Sequence, residues 1–141
     1  AGGVVGDEGR YGYLRDVGPV LVSINLDNNQ AVFPTLARDL LQLADFLGRS
    51  KVHVAIFENG PRDWTPIYMA HLAAALTAAR VTHTISSEHQ ATDWRNVDRI
   101  KQLAVYRNVV LEPLHAERAP RYETVLLVND VFHCWCARSP S

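Results

Sequence analysis

Several polar groups in this chain stand where an apolar run gives way to a turn, and their types suggest a common chemistry. The stretch at residues 122 to 134 reads Tyr-Glu-Thr-Val-Leu-Leu-Val-Asn-Asp-Val-Phe-His-Cys, an apolar run broken by Asn129 and Asp130. Glu58, Asn59 and Asp63 follow a second such run, and Asn25 and Asn28 follow a third. An acid directly after a buried strand stands at the rim of a sheet, where open α/β folds bind ligands. Beside a phosphate, Asp130 would be a sensible oxygen ligand for a divalent cation. Arg107 falls among apolar residues of helical spacing. It either snorkels to the surface or reaches an anionic partner, a carboxylate or phosphate that its planar fork would suit.

Other constellations carry less. Cys134 and Cys136 are separated only by Trp135, too close for an unstrained mutual disulfide. With His133 they lack the spaced ligand pairs of structural zinc sites, so buried or reactive thiols are the expectation. Gly2, Gly3, Gly6 and Gly9 follow no strand and precede no Gly-Lys-Ser/Thr, which argues against a phosphate loop.

The elements that position these residues follow from periodicity. Residues 1 to 18 show no period and are expected to be a flexible lead-in. Residues 19 to 24 and 52 to 57 read as buried strands, each ending in a polar turn. Leu36, Leu40, Leu43 and Leu47 predict a helix stopped by Gly48. A second helix is expected from Thr65 as N-cap and Pro66, with Met69, Leu72, Leu76 and Ala79 on one side. Residues 81 to 85 form a more polar strand nearer an edge, with His53 a core-edge residue and a solvated loop at 86 to 96 that carries His89 and Trp94. Ile100, Leu103, Ala104 and Leu111 predict a third helix over residues 98 to 114, with Arg107 on the same face. The opening stretch then supplies a fourth, buried strand. Alternation of this kind predicts an α/β fold, a mainly parallel Rossmann-like sheet with helices on both faces, whose strand ends gather the polar clusters at one crevice. The place of a dinucleotide-binding glycine fingerprint holds Asn25-Leu26-Asp27-Asn28-Asn29, which argues against NAD or FAD.

Composition bounds the partners. The chain has 141 residues, 48% of them hydrophobic, and a formal net charge of -1. That is the size of one domain with a real core, and it gives no basic footprint for nucleic acid or a membrane surface. No apolar run approaches the roughly 18 residues of a membrane span. The start lacks an initiator Met, so the chain is expected to be cut from something longer.

Four segments carry a resemblance. Val-Ser-Ile-Asn-Leu-Asp-Asn-Asn-Gln-Ala-Val-Phe-Pro-Thr-Leu (22 to 36), Phe-Glu-Asn-Gly-Pro-Arg-Asp-Trp-Thr (57 to 65), Tyr-Arg-Asn-Val-Val-Leu-Glu-Pro-Leu (106 to 114) and Val-Leu-Leu-Val-Asn-Asp-Val-Phe-His-Cys (125 to 134) resemble the fungal capsule-associated α-1,3-mannosyltransferase family. They also look like the wider GT-A pattern of nucleotide-sugar transferases. The resemblance implies a nucleotide-sugar-binding domain over residues 19 to 136, incomplete at its C-terminus, with a tail at 137 to 141. It implies a GDP-mannose donor, a glycan acceptor, Mn2+ or Mg2+ on the diphosphate, and a Golgi location. The donor site would draw on Asn25, Asn28, Glu58, Asn59, Asp63, Arg107 and Asn129, with Glu58 and Asn59 by the nucleoside, Arg107 by the diphosphate and Asp130 on the metal. GT-A motifs carry two Asp flanking one residue, whereas Asn129-Asp130-Val131 carries one, so a second ligand must come from elsewhere or from water. The acceptor site and any catalytic base are expected in a further half of the enzyme. The alternative is a non-catalytic fragment whose exposed sheet edge makes it an interaction module or a remnant.

Overall fold

The computed structural model describes residues 8–60, 62–88, 90, 92–118 and 121–128. Strands β1 (Val20–Leu26), β2 (Val52–Glu58), β3 (Thr82–Ser87) and β4 (Thr124–Val128) form one sheet in the order β3-β2-β1-β4. All pairings are parallel. The long helices are α2 (Phe33–Leu47), α3 (Thr65–Ala78) and α4 (Arg99–Leu111), preceded by a single turn, α1 (Glu8–Tyr11). The fold is α/β and Rossmann-like, as the alternation of elements predicts.

The period-2 pattern of β1 sends its side chains into two cores. Val20, Val22, Ile24 and Leu26 join Val52, Val54 and Ile56 of β2 beneath α2 and α3. From α2, Phe33, Leu36, Leu40, Ala44 and Leu47 are buried, a spacing of three and four that keeps one face down. Gly48 ends that helix at φ 106, a conformation that excludes most other residues. Met69, Leu72 and Leu76 do the same for α3. On the opposite face Leu21, Ala55 and Phe57 meet Tyr106 and Val110 of α4. Ser23, also buried, donates its hydroxyl to the carbonyl of Val110 at 3.4 Å.

Five expectations need correction. Residues 8 to 16 form α1 and a 3-10 turn, Gly12–Asp16, instead of a lead-in without elements. Leu14 and Val17 pack on the main core, and the Arg15 guanidinium lies 4.9 Å from the Phe46 ring centre. Second, Thr65 does not cap α3. Its backbone N–H donates to Asp63 Oδ1 at 2.9 Å, so Asp63 does. Third, the buried face of α4 is carried by Tyr106 and Val110, while Ile100 is 81% exposed and Ala104 and Arg107 also face outward. Apolar residues are scattered around α4, so the aliphatic spacing singles out no face. The tilted packing of Tyr106 against Phe57, ring centres 5.1 Å apart, decides it. Fourth, Trp94 is partly buried, packing edge-on against Tyr106 at 6.3 Å, while Asp93, Arg95 and Asn96 of the same loop are exposed as expected. His89 lies outside the described residues. Fifth, β4 is an edge strand among the described residues, with Val125, Leu126 and Leu127 exposed, where a strand buried on both faces is the expectation.

Asp98 starts α4 by accepting from the N–H groups of Ile100 and Lys101 at 3.0 and 3.2 Å. Among the described residues no helix is long and apolar enough to cross a membrane.

The corrected phase of α4 sets up a comparison by urea denaturation. Tyr106→Ala should cost about 3 kcal/mol or more, as aromatic truncations in cores do. Ile100→Ala should stay within about 0.5 kcal/mol of the parent. Equal losses would mean that the helix presents another face to the sheet.

Candidate functional site

β1 and β2 end together, Leu26 paired with Glu58. The residues that follow are laced into one surface at the C-terminal rim. Asn59 N–H donates to the Leu26 carbonyl at 3.2 Å, and Arg62 N–H donates to Asn28 Oδ1 at 2.7 Å. Gln30 N–H donates to Asp63 Oδ2 at 3.0 Å, and Trp64 N–H donates to Gln30 Oε1 at 3.2 Å. Within the first loop Asp27 N–H donates to Asn29 Oδ1 at 2.5 Å. Asn28 holds φ at 52 and Gly60 at 73, the left-handed region that Asn and Gly tolerate best. Residues outside the predicted set take part as well: Asn29 and Gln30 through their side chains, and Leu26, Asp27, Arg62 and Trp64 through their backbone. Their role depends on how two loops meet, which no local pattern encodes.

Of the predicted site residues, Asn28, Glu58, Asn59 and Asp63 meet at this rim, while Asn25 has the strand parity of Leu21 and Ser23 and is turned toward the α4 face. Both carboxylate oxygens of Asp63 are engaged, one as the cap of α3 and one on the first loop. Partial desolvation pushes its carboxyl up, but the hydrogen bonds from Thr65 and Gln30 outweigh it and hold it below the usual carboxylate range.

Glu58 is in the opposite situation. It is fully buried, and neither carboxylate oxygen has a hydrogen-bond partner among the described residues. Burial first, then the carboxylates of Asp63 and Asp27, push it up to about 7. Asn25 Oδ1 is also buried without a partner among the described residues, one strand position from Leu26 and so on the opposite face of the sheet from Glu58. A buried carboxylate with neither oxygen partnered is uncommon in native interiors and makes this end of the sheet the candidate for a ligand's polar atoms.

The other predicted residues are not drawn in. Arg107 is exposed on α4, and no hydrogen bond or ion pair ties it to the rim among the described residues. Asn129 and Asp130 lie outside the described residues. Among those that are described, no three of His, Cys, Asp and Glu gather as a metal-ligand set.

A cavity of about 560 Å³ opens at the other end of the sheet, where Lys51, Glu112 and Arg118 surround it. His53 lines it and shares hydrogen bonds with Tyr122 at 2.5 Å and Thr84 at 2.9 Å. Desolvation, then the nearby His83, lowers the pKa of His53 and favours the neutral ring that those contacts suit. It lies by the N-terminal ends of the strands, away from the end where parallel sheets bind ligands.

The state of Glu58 is testable through stability. Its folded pKa of about 7 exceeds the ordinary 4.5, so the folded chain retains a proton that the unfolded chain releases. Stability should therefore fall as pH rises from about 4.5 to about 7, by on the order of 2 to 3 kcal/mol. Urea midpoints against pH would register the slope, and Glu58→Gln should remove it. An unchanged slope in the variant would mean that Glu58 does not titrate in this way.

Comparison with known proteins adds to this geometry. No curated protein matches the chain, and no solved structure does. The family described as Cryptococcal mannosyltransferase 1 matches residues 19–137, a span that takes in the whole sheet, its three long helices and the laced rim. A match over that much of a 141-residue chain assigns it: the protein belongs to the Cryptococcal mannosyltransferase 1 family.

Proposed function

We propose that this chain binds GDP-mannose at the C-terminal rim, as the donor-binding part of an enzyme that transfers mannose from it to a sugar hydroxyl with an α-1,3 linkage. The observation that carries this is the laced rim, where the buried Glu58 carboxylate has no partner among the described residues at the ligand-binding end of a Rossmann-like sheet in a mannosyltransferase-family domain. In such a transfer the bond between C1 of mannose and the diphosphate oxygen breaks. A bond from the acceptor oxygen to C1 forms, and the acceptor hydroxyl loses its proton. The products are GDP, the mannosylated acceptor and H+.

The rim supplies binding and orientation. The amides of Asn25, Asn28 and Asn59 each offer donors and acceptors. The carboxylates of Asp27, Glu58 and Asp63 make this part of the rim hostile to a diphosphate, so the nucleoside or sugar end of the donor meets them. By the family relationship the diphosphate is proposed to meet Arg107, which is exposed on α4. A divalent cation held by Asp130 and by water would neutralise the charge that develops on the leaving diphosphate. The Golgi lumen is the proposed location, by the same family relationship.

Isothermal calorimetry tests this. GDP-mannose should bind in the presence of Mn2+ and lose most of its affinity with EDTA or in Asp130→Ala. A folded chain that binds no GDP-mannose under those conditions would contradict the proposal.

A further inference from the structure

The cavity at the N-terminal ends of the strands stays open because α4 covers only part of the sheet. His53 has the strand parity of Ala55 and Phe57, which lie on the α4 face, and it pairs with Thr82 of β3. α4 packs on β1 and β2 and leaves that face of β3 uncovered, so Thr82 and Thr84 are exposed. Glu112, Arg118 and Tyr122, from the segment between α4 and β4, complete the lining. Its volume of about 560 Å³ suits a small ligand, whose sites span roughly 300 to 1,000 Å³.

The polar groups narrow the ligand. Glu112 and Arg118 are exposed, and neither side chain has a hydrogen-bond or ion-pair partner among the described residues. Tyr122 and His53 hold each other by a hydrogen bond, their ring centres 5.9 Å apart, which fixes an aromatic wall. An anion suits Arg118 and Lys51 but is repelled by Glu112, and a cation meets the reverse. An apolar ligand would leave all three without partners. A ligand of many hydroxyls answers both signs, because each hydroxyl donates and accepts. A sugar ring adds an apolar C–H face to set against the aromatic wall.

We propose that this cavity is a saccharide-binding site, holding a stretch of the acceptor glycan away from the hydroxyl that reacts. The transferase reading enters only as the origin of the sugar. The seven residues of β2 separate cavity from rim, about 20 Å at roughly 3.3 Å per residue. A sugar seated here does not itself meet the donor, but an extended glycan held here carries its later residues toward the rim. Anchoring of this kind raises the effective concentration of acceptor ends, and binding energy from the unreacting part then supports transfer.

Chemical-shift titration of the isotope-labelled chain with α-1,3-linked mannotriose, without nucleotide or metal, tests this. The amides of Lys51, His53, Thr82, Thr84 and Tyr122 should move and saturate at roughly millimolar sugar, while those of Asn28, Glu58 and Asn59 stay in place. Glu112→Ala and Arg118→Ala each remove an exposed side chain that the fold does not use, and each should weaken binding about fivefold. Cavity amides that stay still at roughly ten times that concentration would overturn the assignment. So would unchanged affinity in both variants, or mannose 6-phosphate binding more tightly than mannotriose, which would make this an anion site. Because no nucleotide is present, failure here leaves the donor rim standing. A chain that binds mannotriose in this way but no GDP-mannose would contradict the donor reading and keep the saccharide site.

Discussion

β1 leaves the ligand only one place to go. It is paired with β2 on one edge and β4 on the other, and its faces are covered by α2 and α3 on one side and α4 on the other. Six of its seven residues are buried. A strand saturated in this way can meet solvent only at its ends. The C-terminal end carries the turn of Asp27, Asn28 and Asn29, which is short, polar and folded back on itself. The strand order also reverses at β1, since β2 and β3 lie to one side and β4 to the other. In parallel sheets that reversal opens a crevice between the flanking loops, and ligands bind there.

Closure of the β1 and β2 loops onto each other stabilises the rim but isolates Glu58. Asp63 is the hinge of this arrangement, because one carboxylate caps α3 and holds Gln30 at once. The acid two loops require for their own hydrogen bonds is also the acid that raises its neighbour. Glu58 therefore stands protonated more often than a surface carboxylate, at a point where nothing in the described protein compensates it. Such a group lowers stability, and its retention makes sense where a ligand supplies what the fold withholds.

Much of this was legible in the residues themselves. Strand, turn and helix alternate with their ordinary signals, and the polar residues after β1 and β2 were identifiable as rim residues from that alternation alone. The rest depended on contacts between distant segments. The phase of α4 was hidden because Ile100, Val105 and Ala104 are as apolar as the residues that face the sheet, and only the Phe57 ring picks out Tyr106. Thr65 after a polar turn has the form of an N-cap, but it is Thr65's own backbone N–H that is satisfied, by the charged carboxylate of Asp63 two residues earlier. The exposure of Val125 and Leu127 depends on what lies beside β4, which its own composition does not report. Nor could the isolation of Glu58 be foreseen, since it arises from the lacing of residues more than 30 positions apart.

The central claim is that the laced C-terminal rim, and not the cavity at the other end of the sheet, receives the donor. Chemical-shift mapping of the isotope-labelled chain with GDP-mannose and Mg2+ tests it most directly. The account predicts that the largest amide perturbations fall on Asn25, Asn28, Gln30, Glu58, Asn59 and Asp63, with little change at Lys51, His53 or Tyr122. Perturbations centred on His53 and Tyr122, with the rim amides unmoved, would contradict it.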